Sequence, residues 1–167
     1  EISAANSVLK KKSLTLIDGP SVKTLEKKIS KLFGKKYGLM VNSGSSANLL
    51  GLASLGLKKG SEIITPTLTF STTVAPIYQL GLIPHFIDVE DKTFTAKIDQ
   101  IAKAINKKTK AIIIPNLLGN VPNWQLISKI ARKYNLKIIE DSADTIGYKI
   151  NKKNYGRYSD ITTNSMY

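Results

Sequence analysis

Asp141 follows the short apolar run Leu136-Lys137-Ile138-Ile139-Glu140 and precedes Ser142-Ala143-Asp144. A β-rich run ending in a carboxylate puts a charge at the C-terminal edge of a sheet, where open α/β folds build their sites. Such a carboxylate is costly to bury alone, and a protonated ring nitrogen is one partner it can serve. Asn42-Ser43-Gly44-Ser45-Ser46-Ala47-Asn48 lies between an apolar run and a helical one. Exposed N–H groups and hydroxyls at a helix N-terminus satisfy a dianionic phosphate. Gly44 permits a tight turn and close backbone approach. Phe70, in Thr69-Phe70-Ser71-Thr72-Thr73, opens a helix after Pro66 and is placed to stack on a flat ligand.

Each residue also has a plainer reading. Asp is at home in turns and caps. Ser43 or Ser45 can simply be an N-cap, and an aromatic at Phe70 fits a core. His85, the single histidine, lies in Ile83-Pro84-His85-Phe86-Ile87 and reads as a structural strand residue. No carboxylate stands beside it in sequence to make it a base. Trp124 reads as packing. No Ser-His-Asp or metal-ligand spacing is present, and neither GxGxxG nor GxxxxGKS/T occurs, which weakens dinucleotide and nucleoside-triphosphate readings.

The elements that must position these residues alternate. Residues 21–33 read as a helix through Val22, Leu25, Ile29, Leu32 and Phe33, ended by Gly34. Residues 37–41 read as a buried strand and 45–57 as a buried helix. A strand at 62–64 stops at Thr65-Pro66, a helix runs over 70–80 to Gly81, and a strand runs over 83–89. The pattern continues with a helix at 97–105, a strand at 109–114 stopped by Pro115, and a helix at 123–134. Asn123 is its N-cap candidate and Asn135 its C′ candidate. Strands at 136–140 and 160–165 follow, with a hairpin tip at Asn151-Lys152-Lys153-Asn154. The strands are apolar on both alternations. This predicts an α/β fold of three layers, a mainly parallel sheet with helices on both faces. Ser43, Thr65, Asp88, Asn116 and Asp141 then all follow strand C-termini, on one edge.

The 167 residues are 42% hydrophobic and 22% charged, enough for one sizeable core. No cysteine is present, so no disulfide framework or Cys-ligated metal is expected within them. The net charge of +13 fits either an anionic partner or a solvated Lys-rich surface. The lysines fall mostly in scattered pairs, arginine occurs only as Arg132 and Arg157, and no aromatics interleave, so a nucleic-acid partner is not expected. No apolar run reaches the roughly 18 residues of a membrane span, and the first residues lack a signal-peptide layout. A cytoplasmic protein without a membrane partner is the expectation.

A carboxylate for a ring nitrogen together with a phosphate cradle describes a pyridoxal phosphate (PLP) site. The order of markers carries that further. They run from Leu14-Thr15 and Gly19-Pro20 through Ser43-Gly44-Ser45-Ser46-Ala47-Asn48, Pro66 with Thr69-Phe70-Ser71-Thr72, and Thr109-Lys110-Ala111-Ile112. Leu118-Gly119-Asn120, Glu140-Asp141-Ser142-Ala143-Asp144 and Ser165-Met166-Tyr167 complete them. Over nearly its whole length the chain resembles the DegT/DnrJ/EryC1/StrS sugar aminotransferase/dehydratase family of fold-type I PLP enzymes.

The resemblance implies an aspartate aminotransferase-like large domain over residues 1–167, incomplete, with the family's smaller C-terminal domain not included. It implies PLP or pyridoxamine phosphate (PMP) as cofactor, a nucleotide-sugar substrate and a homodimer. By position, Gly44, Ser45 and Ser165 would hold the cofactor phosphate, Phe70 would stack on the ring and Asp141 would pair with its nitrogen. Asp144 would lie near the ring hydroxyl, where aminotransferases often carry Gln. The cradle sequence, Ser71-Thr72-Thr73, Leu117-Leu118-Gly119-Asn120-Val121-Pro122-Asn123 and Asp144 resemble the deoxysugar 3-dehydratase branch. A 4-keto-6-deoxysugar 3-dehydratase of deoxysugar or surface-polysaccharide synthesis is therefore the first expectation. A sugar-nucleotide aminotransferase with a Schiff-base Lys is the alternative, and a non-catalytic binding protein the second. The deciding catalytic residue, His or Lys, is expected three positions beyond Tyr167.

Overall fold

Residues 111–114 are wholly buried because they form the middle of a sheet covered on both faces. The computed structural model describes residues 1–11, 19–150 and 153–166. They divide into two compact units, Glu1–Met40 and Val41–Tyr167.

In the larger unit, strands β1 (Glu62–Pro66), β2 (Ile83–Ile87), β3 (Thr109–Pro115), β4 (Lys137–Ser142) and β7 (Ile161–Asn164) form one sheet in the order β2-β1-β3-β4-β7. Every pairing is parallel. Helices α3 (Gly44–Ala53), α4 (Ser71–Gln79), α5 (Ile98–Ala104) and α6 (Trp124–Lys133) cover it. Parallel strands need crossovers of one hand, so reversing direction across the sheet changes the face a helix covers. The step from β1 to β2 uses α4. The steps from β2 to β3 and from β3 to β4 run the other way and use α5 and α6.

The pleat sorts the isoleucines accordingly. Ile112, Ile114 and Ile138 pack with Ile101 of α5 and Trp124 and Ile127 of α6. Ile63, Ile113 and Ile139 pack with Leu52 of α3 and Ile77 of α4. The short strands β5 (Lys149–Ile150) and β6 (Lys153–Asn154) pair antiparallel. The tip residues Asn151 and Lys152 lie outside the described residues.

The three-layer expectation is borne out, and most elements fall where predicted. Asn123 caps α6, its side chain accepting from Leu126 N–H, and Asn135 takes the left-handed conformation after it. Gly34 and Gly81 end their helices at positive φ. β1 and β3 run through Thr65-Pro66 and Pro115 rather than stopping before them.

Residues 37–41 are a correction. They form no strand, and Tyr37 and Leu39 are exposed. In the smaller unit, residues 35–40 return beside α2 (Pro20–Phe33) instead. Met40 N–H donates to Glu26 Oε1 at 2.8 Å. A Cβ on Gly38 would lie 2.6 Å from the Glu26 carbonyl oxygen, so only glycine fits there. Bonds to a helix side chain replace the ladder. Ser43 consequently follows no strand. Helix α1 (Ile2–Leu9), which buries nothing, has no counterpart in the sequence reading. The markers Leu14 and Thr15 lie outside the described residues, as does Tyr167.

Candidate functional site

Asp141 is 5% exposed at the C-terminal end of β4, on the sheet face covered by α3 and α4. Its Oδ2 accepts from Asn48 Nδ2 and from Thr73 Oγ1, both at 2.8 Å. Its Oδ1 accepts from Ala143 N–H at 3.1 Å. These bonds satisfy the carboxylate oxygens and fix their orientation. Asn48 is itself clamped, its Oδ1 accepting from Thr163 Oγ1 at 2.6 Å. Thr69 Oγ1 donates to Thr73 Oγ1 at 2.8 Å. The buried aspartate is thus tied to two helices and to β7. Its bond to Ala143 is the turn contact of the plainer reading, and the Asn48 and Thr73 bonds go beyond it.

Ser43 is the N-cap of α3, its Oγ accepting from Ser46 N–H at 3.1 Å, so the capping reading holds for this residue. Capping and anion binding are compatible here. Gly44 and Ser45 occupy the first helical turn, where N–H groups have no intrahelical acceptor. A Cβ on Gly44 would lie 3.3 Å from Ser165 Cβ, so the helix start and the residue after β7 are in close approach. Asn164, just before Ser165, gives its Nδ2 to Ser142 O at 2.7 Å. Its buried Oδ1 has no partner among the described residues.

α3 joins the two pieces, with Gly44 at its start and Asn48 four residues on, about 6 Å along the axis. Strand register agrees, pairing Asp141 with Thr163 and Ser142 with Asn164. A cationic group at Asp141 and an anionic group at Gly44 and Ser165 can therefore belong to one small ligand.

Phe70 is 70% exposed at the N-cap position of α4, so it is not core. It stands one turn before Thr73 and thus at the same end of the site. Asp144 is exposed, and its Oδ2 accepts from Leu118 N–H at 3.1 Å. Leu118 lies at φ 54° in the short 3-10 turn Leu117–Gly119. Asp144 therefore tethers that turn to the strand end.

The model of the DegT/DnrJ/EryC1/StrS aminotransferase family matches residues 1–167. The chain belongs to this family. A GDP-4-keto-6-deoxy-D-mannose 3-dehydratase of Yersinia pseudotuberculosis is 38% identical over 173 residues, matching 100% of this chain and 44% of that protein. The chain thus spans less than half of that relative. The solved structure of the Escherichia coli GDP-4-keto-6-deoxy-D-mannose 3-dehydratase with bound hydrated PLP is 40% identical, at TM-score 0.84. That match covers 91% of this chain and 40% of the other. Spr1654 of Streptococcus pneumoniae, named as a sugar aminotransferase and solved in its PLP form, superposes at TM-score 0.90 with 26% identity. It covers 99% of this chain, which covers 46% of it.

Within this DegT/DnrJ/EryC1/StrS chain, sequence reasoning missed Asn48 and Thr73 as partners of Asp141. It quoted both in motifs, but a bond spanning 93 or 68 residues leaves no local signal. It also missed the polar cluster on the opposite sheet face. There Glu140, fully buried, accepts from Asn116 Nδ2 at 2.8 Å and from Ser142 Oγ and Ser159 Oγ at 3.1 Å. Asn116 Oδ1 accepts from Trp124 Nε1 at 2.8 Å, so Trp124 is packing with its N–H satisfied. His85 stays structural, but its Nδ1 lies 3.4 Å from Glu62 Oε2 on the neighbouring strand, a partner 23 residues away. Asp88 caps Val89 N–H and pairs with Lys97.

Proposed function

We propose that residues 1–167 form much of the cofactor-binding large domain of a PLP/PMP-dependent sugar-nucleotide enzyme, a 4-keto-6-deoxysugar 3-dehydratase acting in deoxysugar or surface-polysaccharide synthesis. The observation that carries it is Asp141, buried, held by neutral donors, and joined through α3 to an anion cradle. The residues fit the cofactor. A side chain at Gly44 would press on Ser165 at 3.3 Å, and Asn164 Oδ1 is a buried acceptor without a partner among the described residues.

Gly44 and Ser45 bind the phosphate through first-turn N–H groups and Ser165 through its hydroxyl. Asp141 accepts the ring N–H and holds that proton in place. Phe70 covers a ring face and excludes water from it. Asp144 stands at the strand end beside the ring hydroxyl and steadies the 117–119 turn. When bound, the cofactor supplies an electron sink for the substrate's developing negative charge. A nucleotide sugar is the substrate, and a homodimer the assembly. Among the described residues no helix is long and apolar enough to cross a membrane, and no three-residue cluster of metal ligands occurs.

The dehydratase reading is supported by relatives 38% and 40% identical that carry that name. The superposition on Spr1654 supports the second reading, a sugar-nucleotide aminotransferase. The test supplies the intact protein with PMP and GDP-4-keto-6-deoxy-D-mannose. Loss of the sugar's C3 hydroxyl supports the first reading. Amine transfer with that hydroxyl retained moves the conclusion to the second. Cofactor uptake without turnover of either kind leaves a binding protein. Asp141→Ala is expected to lower cofactor affinity by about 10²–10³-fold, the scale of breaking a buried charge pair. Circular dichroism checks that the fold is retained.

A further inference from the structure

α4 contains a proline in its interior, Pro76, and the proline is buried. Proline has no N–H, so the carbonyl one turn earlier loses its helical donor. That carbonyl belongs to Thr72, and it accepts instead from Asn48 Nδ2 at 3.2 Å. The same amide nitrogen donates to Asp141 Oδ2 at 2.8 Å, while Asn48 Oδ1 takes the Thr163 hydroxyl. Every polar atom of the Asn48 side chain is therefore engaged, and its residue is 2% exposed. The amide cannot flip without turning its oxygen toward Thr72 O and Asp141 Oδ2, three acceptors in contact.

We propose that Asn48 is the positioning residue for Asp141 and that Pro76 sets it by leaving Thr72 O free. The role rests on the reading of Asp141 as the ring-nitrogen partner. Asn48 and Thr73 load Oδ2 with two donors, so Oδ2 points into the helices. Oδ1, which among the described residues accepts only the Ala143 N–H, is the oxygen this role assigns to the ligand. The hydrogen-bond partners of Asp141 among the described residues are all neutral. Glu140, next along β4, faces the other side of the sheet and is bonded to Asn116 and Ser142 there. Asp144, three residues on, is bonded to Leu118. These donors, rather than a neighbouring cation, orient the carboxylate.

The experiment measures PMP and PLP binding to the intact protein by fluorescence titration at neutral pH, with apoprotein melting in parallel. Asn48→Leu is expected to weaken binding at least 10-fold at neutral pH. Pro76→Ala restores an N–H one turn after Thr72, and that N–H competes for the carbonyl. Its melting temperature is expected to hold or rise, while cofactor binding weakens several-fold. Opposite movements of stability and binding are not produced by a merely structural Asn48. If Asn48→Leu does not fold, Pro76→Ala alone decides. Wild-type uptake with unchanged affinity in the folded variants overturns the role of Asn48 and leaves the function standing. Wild-type protein that takes up neither cofactor overturns the functional reading with it.

Discussion

Gly44 shows how finely one residue sets the cradle. An added methyl group would gain about 0.5–1 kcal/mol of helix propensity. It would also meet Ser165 Cβ at 3.3 Å, and forcing such contacts costs typically about 1–3 kcal/mol. The net is a modest loss of about 1 kcal/mol, and the geometry changes because Ser165 must move. Gly44→Ala is therefore expected to melt within a few degrees of wild type. It should bind phosphate-bearing PMP several-fold more weakly, with little change for unphosphorylated pyridoxamine, as read by competitive titration. Equal losses for both ligands would remove Gly44 from the phosphate end. At this scale the carboxylate and the serine-rich turn were legible because their chemistry is written in their residue types. Asn48 was not, since an amide inside an apolar helix declares no partner until β4 and β7 are brought to it. Phe70 was ambiguous for the converse reason, because sequence gives an aromatic ring but not its exposure.

At the scale of elements, hydrophobic period located the helices and strands that pack on the sheet. It failed at residues 37–41, where apolar composition imitates a strand but the backbone is taken up by Glu26 and the close approach at Gly38. The other end of the sheet holds a polar device of its own. Glu62 at the start of β1 accepts from Asn106 Nδ2 at 2.6 Å and lies near His85 of β2. The Asn106 hydrogen bond, opposed by burial and helped by His85, holds the Glu62 carboxyl below the usual glutamate range. Its contribution is then fully present above the unfolded-state value of about 4.3 and is lost as pH falls through the lower folded-state value. Glu62→Gln is expected to cost about 1 kcal/mol at pH 7 and less at pH 3. Urea unfolding at the two pH values measures this, and an equal cost at both would deny the charge any part in it.

Across the whole molecule, parallel topology sends strand N-termini and helix C-termini to one edge. Lys58, Lys59, Lys107, Lys108, Lys133 and Lys137 gather there, on the side away from Asp141. Cations suit helix C-termini, so part of the +13 charge complements the helix dipoles. The layered architecture was legible because alternating elements and two-sided apolar strands admit few arrangements. Strand order was not, since nothing local reports that β7 lies beside β4. That placement bears on how the protein comes to be folded. Asn48 and Thr163 are separated by 115 residues, and Asn48 and Asp141 by 93. Closing such long loops must precede any reward from the contacts they bring together. During refolding, helical circular dichroism should therefore recover before the capacity to quench PMP fluorescence. Simultaneous recovery would mean that β7 docks early. The ligand then acts as a thermodynamic latch on the finished chain, stabilising only molecules that have completed the last closure.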